Sequence, residues 1–106
     1  LMITLGKGRL KVFLEKKELD KDIVLILGGG EKSHIGGVVI CEPGKKANVI
    51  KLGTHKDYIV LTPIAEKACE KYNKTAVAIG GIHIDNAKKE EIDQIVKNCK
   101  ELLECI

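Results

Sequence analysis

The chain has 106 residues, with 18 basic and 15 acidic side chains and a net charge of +3. That length supports one hydrophobic core, so a single domain over residues 1–106 is expected. Hydrophobic residues make up 44% and recur throughout, which argues against disorder, and no apolar run approaches the roughly 18 residues of a membrane-spanning helix.

In chain order, Ile3 to Leu5 and then Leu10, Val12 and Leu14 alternate with polar residues, as half-buried strands do. Gly6-Lys7-Gly8 between them reads as a bulge or turn. After the polar break Asp20-Lys21-Asp22, Ile23 to Leu27 is a continuous apolar run, a buried central strand ending in Gly28-Gly29-Gly30. Ile35 to Cys41 is the next strand, closed by Pro43-Gly44, and Ala47 to Leu52 a shorter one. Such tight spacing favours antiparallel hairpins, because a parallel crossover needs a dozen or more residues.

The period then changes. Leu61, Ile64, Ala65, Ala68, Cys69 and Tyr72 recur at three to four residues, an amphipathic helix with Thr62-Pro63 as its expected start. Asp57 to Leu61 reads equally as an added helical turn or an extended lead-in. Asn73 suits a left-handed helix end, and Thr75 to Ile79 is a strand ending in Gly80-Gly81. Ile92, Ile95, Val96, Cys99, Leu102, Leu103 and Ile106 form one apolar stripe, the last helix, with Asp85 or Asn86 as its cap. Ile95 sits mid-stripe, as a core residue would. The fold class is therefore α+β: a mostly antiparallel sheet with two amphipathic helices packed on one face. The other face and the edges stay available for self-association.

Charges of both signs are interleaved, as in Lys88-Lys89-Glu90-Glu91, and only Phe13, Tyr58 and Tyr72 are aromatic. Neither a nucleic-acid footprint nor a base-stacking platform is present. Abundant Lys and Glu beside one glutamine, Gln94, fit a thermophilic source. Cys41, Cys69, Cys99 and Cys105 show no C-x-x-C spacing, and Cys69 and Cys99 fall on apolar helix faces. Buried thiols in a reducing compartment are expected. With no basic segment leading into a short apolar run at the N-terminus, the expected location is cytoplasmic.

Gly28-Gly29-Gly30-Glu31-Lys32-Ser33 fails the P-loop pattern, because Glu31 precedes the lysine and a strand follows. The histidines are the sharper feature. His34, His55 and His83 each lie in a glycine-containing segment beside a strand end, where sites are built on rigid scaffolds. No pair has the i, i+4 spacing of a local metal motif, so no metal is expected. Three imidazoles with Asp57 or Asp85 would form such a set only if the fold made them converge. Ser33 beside His34 is no triad, since neighbours on a strand point to opposite faces. No reaction follows from the residues, and an enzyme is not the favoured reading.

Together, Gly28-Gly29 with His34-Ile35-Gly36-Gly37, His55-Lys56-Asp57 with Ala65-Glu66, and Gly81-Ile82-His83-Ile84-Asp85-Asn86-Ala87 resemble the prenylated flavin chaperone LpdD-like domain family. The resemblance spans roughly residues 22–105. It implies a fold related to the proteasome-assembly chaperones. It also implies a non-catalytic accessory protein, like the small subunit of gallate-type decarboxylases. Such a protein handles prenylated FMN for a UbiD-type decarboxylase, or assists its assembly. The positions carried over are His34, Gly36, His55, Asp57, His83, Asp85 and Asn86, with Lys56 as a further donor to a phosphate or carbonyl. The implied partners are further copies of the chain and a decarboxylase or assembly partner, with neither nucleic acid nor membrane. The alternative is a proteasome-assembly-chaperone-like protein that acts through protein–protein contacts alone.

Overall fold

The computed structural model describes residues 1–106. Its strands are β1 (Met2–Leu5), β2 (Val12–Glu18), β3 (Asp22–Gly29), β4 (Lys32–Cys41), β5 (Asn48–Lys51) and β6 (Thr75–His83). Helix α1 (Tyr58–Tyr72) lies between β5 and β6, and α2 (Lys89–Leu103) follows β6. A single 3₁₀ turn at Gly8–Leu10 joins β1 to β2.

The six strands form one sheet in the order β1-β2-β3-β6-β4-β5. Every pairing is antiparallel except β3 with β6. The expected mostly antiparallel α+β fold is therefore present. One inference from short spacing does not hold: β3 and β4 are not a hairpin. Strand β6 inserts between them, parallel to β3 and antiparallel to β4. The Gly28–Gly30 segment instead crosses the end of β6. There Gly30 N–H donates to the Lys11 carbonyl (2.8 Å) and Glu31 N–H to the His83 carbonyl (2.9 Å). Loop length alone allowed a hairpin; the apolar run Thr75–Ile79 finds more burial in the middle of the sheet than at its edge.

Alternation decides the faces. Leu14 pairs with Leu27, and Leu25, Ala78 and Val39 share a register across three strands. These residues face the helices and are fully buried or nearly so, together with Leu61, Ile64 and Ala68 of α1 and Cys99 and Leu102 of α2. Small side chains on β6 (Ala76, Ala78, Gly80) let α1 approach the sheet. The opposite face has no helix over it. It carries an aliphatic ladder, Ile26–Ile79–Val38–Ile50, across β3, β6, β4 and β5. Ile26 and Ile50 at its ends are 37% and 43% exposed.

Both helix starts differ from expectation. Helix α1 begins at Tyr58, so Asp57–Leu61 supplies its N-cap and first turn and Pro63 lies inside the helix. The Thr62 hydroxyl donates to the Tyr58 carbonyl (2.6 Å), and Pro63 simply lacks the N–H that would reach Ile59. Asn73 ends the helix in the left-handed region, as expected (φ 51). For α2 the N-cap is Lys88, not Asp85 or Asn86. Its amide donates to Glu91 Oε1 (3.0 Å), the reach-back half of a capping box; an ammonium group has no lone pair for the other half. Asp85 is held by His83, and Asn86 takes a left-handed turn conformation (φ 51).

Arg9, the one arginine, fixes this end of α2. It lies 3.0 Å from Glu91 and 3.4 Å from Glu31, and it donates to the Asp85 carbonyl (2.8 Å). Asn98, nearly buried, donates to the Leu10 carbonyl (3.0 Å) and accepts from Gln94. The 3₁₀ turn is thereby tied to the middle of the helix.

Candidate functional site

The histidines lie at the β6 end that meets the helices. Strand β4 is irregular between Ser33 and Gly37: His34, Ile35 and Gly36 stand opposite the single residue Gly81 of β6. His34 is thus inside a bulged strand rather than just before it, and Gly36, expected in the strand, lies in the same bulge. Likewise Gly80-Gly81 is strand, and His83 is its last residue. The bulge turns His34 toward the start of α1, where Asp57 is the N-cap.

Two glycines clear the space these side chains occupy. A Cβ on Gly36 would overlap the Asp57 carboxylate. A Cβ on Gly81 would sit 2.9 Å from both Asp57 Cγ and His34 Nε2. The Asp57 and His34 side chains therefore lie directly on backbone, a close approach only glycine permits. Asp57 Oδ1 accepts the Ile82 N–H (3.1 Å), and Oδ2 lies 3.5 Å from His34 Nε2. The His34 and His55 rings meet edge to face with centroids 4.6 Å apart. His83 stands 6.2 Å from His34, with its Nε2 2.8 Å from Asp85 Oδ1. That hydrogen bond holds the Asp85 carboxyl below the usual aspartate range.

Beside this cluster a cleft of about 430 Å³ opens between α1, the β6–α2 connection and α2. His55, Lys56, Asp57 and His83 form its polar end. Its walls are aliphatic: Ile59 and Val60 from α1, Ile82 and Ile84 beside His83, and Ile92, Ile95 and Val96 from α2. Ile59 and Ile92 at the rim are 58% and 50% exposed. Such a mouth suits a ligand with an apolar body and an anionic end.

The fold brings His34, His55, Asp57 and His83 into one cluster and sets Lys56 at the cleft. Gly36 acts by leaving room. Asp85 lies behind His83, its amide donating to Glu31 (2.9 Å), and neither Asp85 nor Asn86 lines the cleft. The aliphatic walls went unrecognised as site residues. The α2 stripe was visible, but Ile92 and Ile95 read as core; Ile95 is only half-buried. Tyr58 also lies outside the cleft, under the Lys51 ammonium (4.5 Å).

The thiols take no part. Cys41, Cys69 and Cys99 are buried, and Cys105 is exposed. Burial pushes Cys99 up to about 12, with the Asp57 charge adding. Burial, with the neighbouring Cys41, pushes Cys69 up to about 11. Neither is a thiolate at neutral pH.

Residues 6–106 match the family model of the prenylated flavin chaperone LpdD-like domain. The chain belongs to that family. The LpdD-like assignment covers the whole cleft, Arg9 and all five motif segments that carried the resemblance. It makes the chain a domain of a chaperone family, a non-catalytic accessory type. Comparison with curated proteins finds no match. Among solved structures, the LpdD-like fold is similar to a chain of a chaperone complex for yeast 20S proteasome assembly. That chain is 15% identical, with a TM-score of 0.56 over 99% of this chain and 97% of the other. At that identity the likeness is one of fold. No helix is long and apolar enough to cross a membrane.

Proposed function

We propose that this domain holds prenylated FMN for a decarboxylase of the UbiD type, and that the cleft is where it does so. The cleft's division into one polar end and aliphatic walls carries the reading. Flavin mononucleotide has the same division: a phosphate dianion at one end and a broad ring system at the other. The volume of about 430 Å³ falls within the roughly 300–1,000 Å³ of small-ligand sites. Lys56, His55 and His83 would hold the phosphate, and Ile82, Ile95 and Val96 would cover the ring. His34, Gly36 and Asp57 shape the polar end; Asp85 and Asn86 shape the loop that carries His83. When bound, the group would supply the decarboxylation chemistry of its partner enzyme, while this chain shields it from water. Three buried free thiols and an exposed one fit the cytoplasm as the place of action.

The uncovered sheet face favours a companion role. Its Ile26–Ile79–Val38–Ile50 ladder is an apolar strip four strands wide, which supports self-association or contact with the decarboxylase. Assembly through protein contacts alone is the second reading.

Native mass spectrometry on protein from a host that makes prenylated FMN separates them. The expected result is a flavin mass on a defined oligomer, and a rise in melting temperature when prenylated FMN is added to stripped protein. A ligand-free oligomer whose stability flavin does not shift would overturn the flavin reading and leave the assembly role.

A further inference from the structure

We propose that His34, His55 and Asp57 form a binding site for one divalent first-row transition metal ion of the zinc class. The sequence contains no local metal motif, and the site exists only because the β4 bulge and the start of α1 converge.

The donor set is two imidazoles and one carboxylate. One ligating atom from each lies within 4.8 Å of the other two. Zinc ligands at about 2.0–2.1 Å stand about 3.4 Å apart in a tetrahedron. His34 Nε2 and Asp57 Oδ2 are already 3.5 Å apart. His55 is exposed, on the turn after β5, and its ring already packs edge to face against the His34 ring with centroids 4.6 Å apart, so a side-chain rotation closes the remaining distance.

Three further observations point to a built site. Gly36 and Gly81 remove two Cβ atoms where Asp57 and His34 lie. Asp57 Oδ1 is fixed by the Ile82 amide, which leaves Oδ2 facing His34, as an oriented metal carboxylate requires. His55 and Asp57 border the cleft, so a fourth coordination position would open onto it and accept a phosphate or carboxylate oxygen. His83 is not in the set: its ring stands 6.2 Å from that of His34, and the close group of ligating atoms is His34, His55 and Asp57. Two nitrogen donors beside one oxygen favour zinc, cobalt or nickel over magnesium or calcium.

The inference does not rest on the flavin reading, and its test uses no flavin. Chelator-treated, dialysed Cys105→Ser protein, which lacks the exposed thiol, would be titrated calorimetrically with Zn²⁺ and with Mg²⁺. The expected result is one zinc per chain, no magnesium binding, and visible d–d absorption when Co²⁺ replaces zinc. His55→Ala changes an exposed side chain, and Asp57→Asn keeps an oxygen for the Ile82 amide; each should weaken zinc by at least about 100-fold. His83→Ala should retain zinc while losing flavin, so failure of either reading is read separately. Absence of stoichiometric zinc binding, or binding that both His55→Ala and Asp57→Asn leave unchanged, would overturn the proposal.

Discussion

The two halves of α2 carry one continuous apolar stripe and use it differently. In the C-terminal half, Cys99 and Leu102, with Ile106 beyond the helix end, are buried in the common core. In the N-terminal half, Ile92, Ile95 and Val96 line the cleft, and of these Ile95 alone also packs against the core. What anchors each half differs in kind. The C-terminal half is held by burial. The N-terminal half is held by polar contacts: Arg9 to Glu91 and to the Asp85 carbonyl, and Lys88 N–H to Glu91. A helix end fixed by ions and hydrogen bonds commits less of its aliphatic surface to the core. The remainder is left free to face a ligand.

Removing core packing should show the contrast most strongly. Leu102→Ala should cost about 2–5 kcal/mol in urea unfolding, with unchanged flavin affinity in the fraction that folds. Ile95→Ala, in the same stripe, should cost no more than about 1–2 kcal/mol, since the side chain is half-buried, and should instead weaken flavin binding several-fold. Equal stability losses at the two positions would mean that the cleft is closed core.

The polar anchor can be broken separately. Arg9→Ala should lower stability by about 1 kcal/mol, because its ion pairs are partly solvated. Hydrogen exchange should rise at residues 88–92 and stay protected at 99–102. Acid should act on the same end. The Lys88 amide and then Arg9 hold Glu91 below its ordinary range, and His83 does so for Asp85. Carboxyls depressed on folding stabilise above their ordinary values and lose that contribution as pH falls through the folded ones. Stability should therefore fall below about pH 4, and the fall should be shallower in Arg9→Ala when unfolding is followed across that range.

The smallest effect on folding is expected at His83→Ala. His83 is exposed and its one side-chain partner is Asp85, so the cost should stay under about 1 kcal/mol while flavin affinity drops. A loss above about 2 kcal/mol in thermal unfolding would make it a structural histidine instead.

Much of this was legible in the residues. The α2 stripe, the central strand over Ile23–Leu27, the α1 periodicity and the left-handed Asn73 are local patterns, and local sterics fix them; that strand is buried on one face only, with Ile26 37% exposed on the other. The motif segments around His34, His55 and His83 carried the family, which the match over residues 6–106 shows. Partner choice was not legible. That β6 enters between β3 and β4 depends on which strand gains most burial there, a competition among distant segments that no window of sequence contains. The same competition decides that His34, His55 and Asp57 face one another, and that Gly36 and Gly81 are needed as empty space rather than as turns. Periodicity told which side of each element is apolar. Only the tertiary structure decided how much of that apolar surface the core consumed and how much it left as a cleft, because burial is a property of the packed whole.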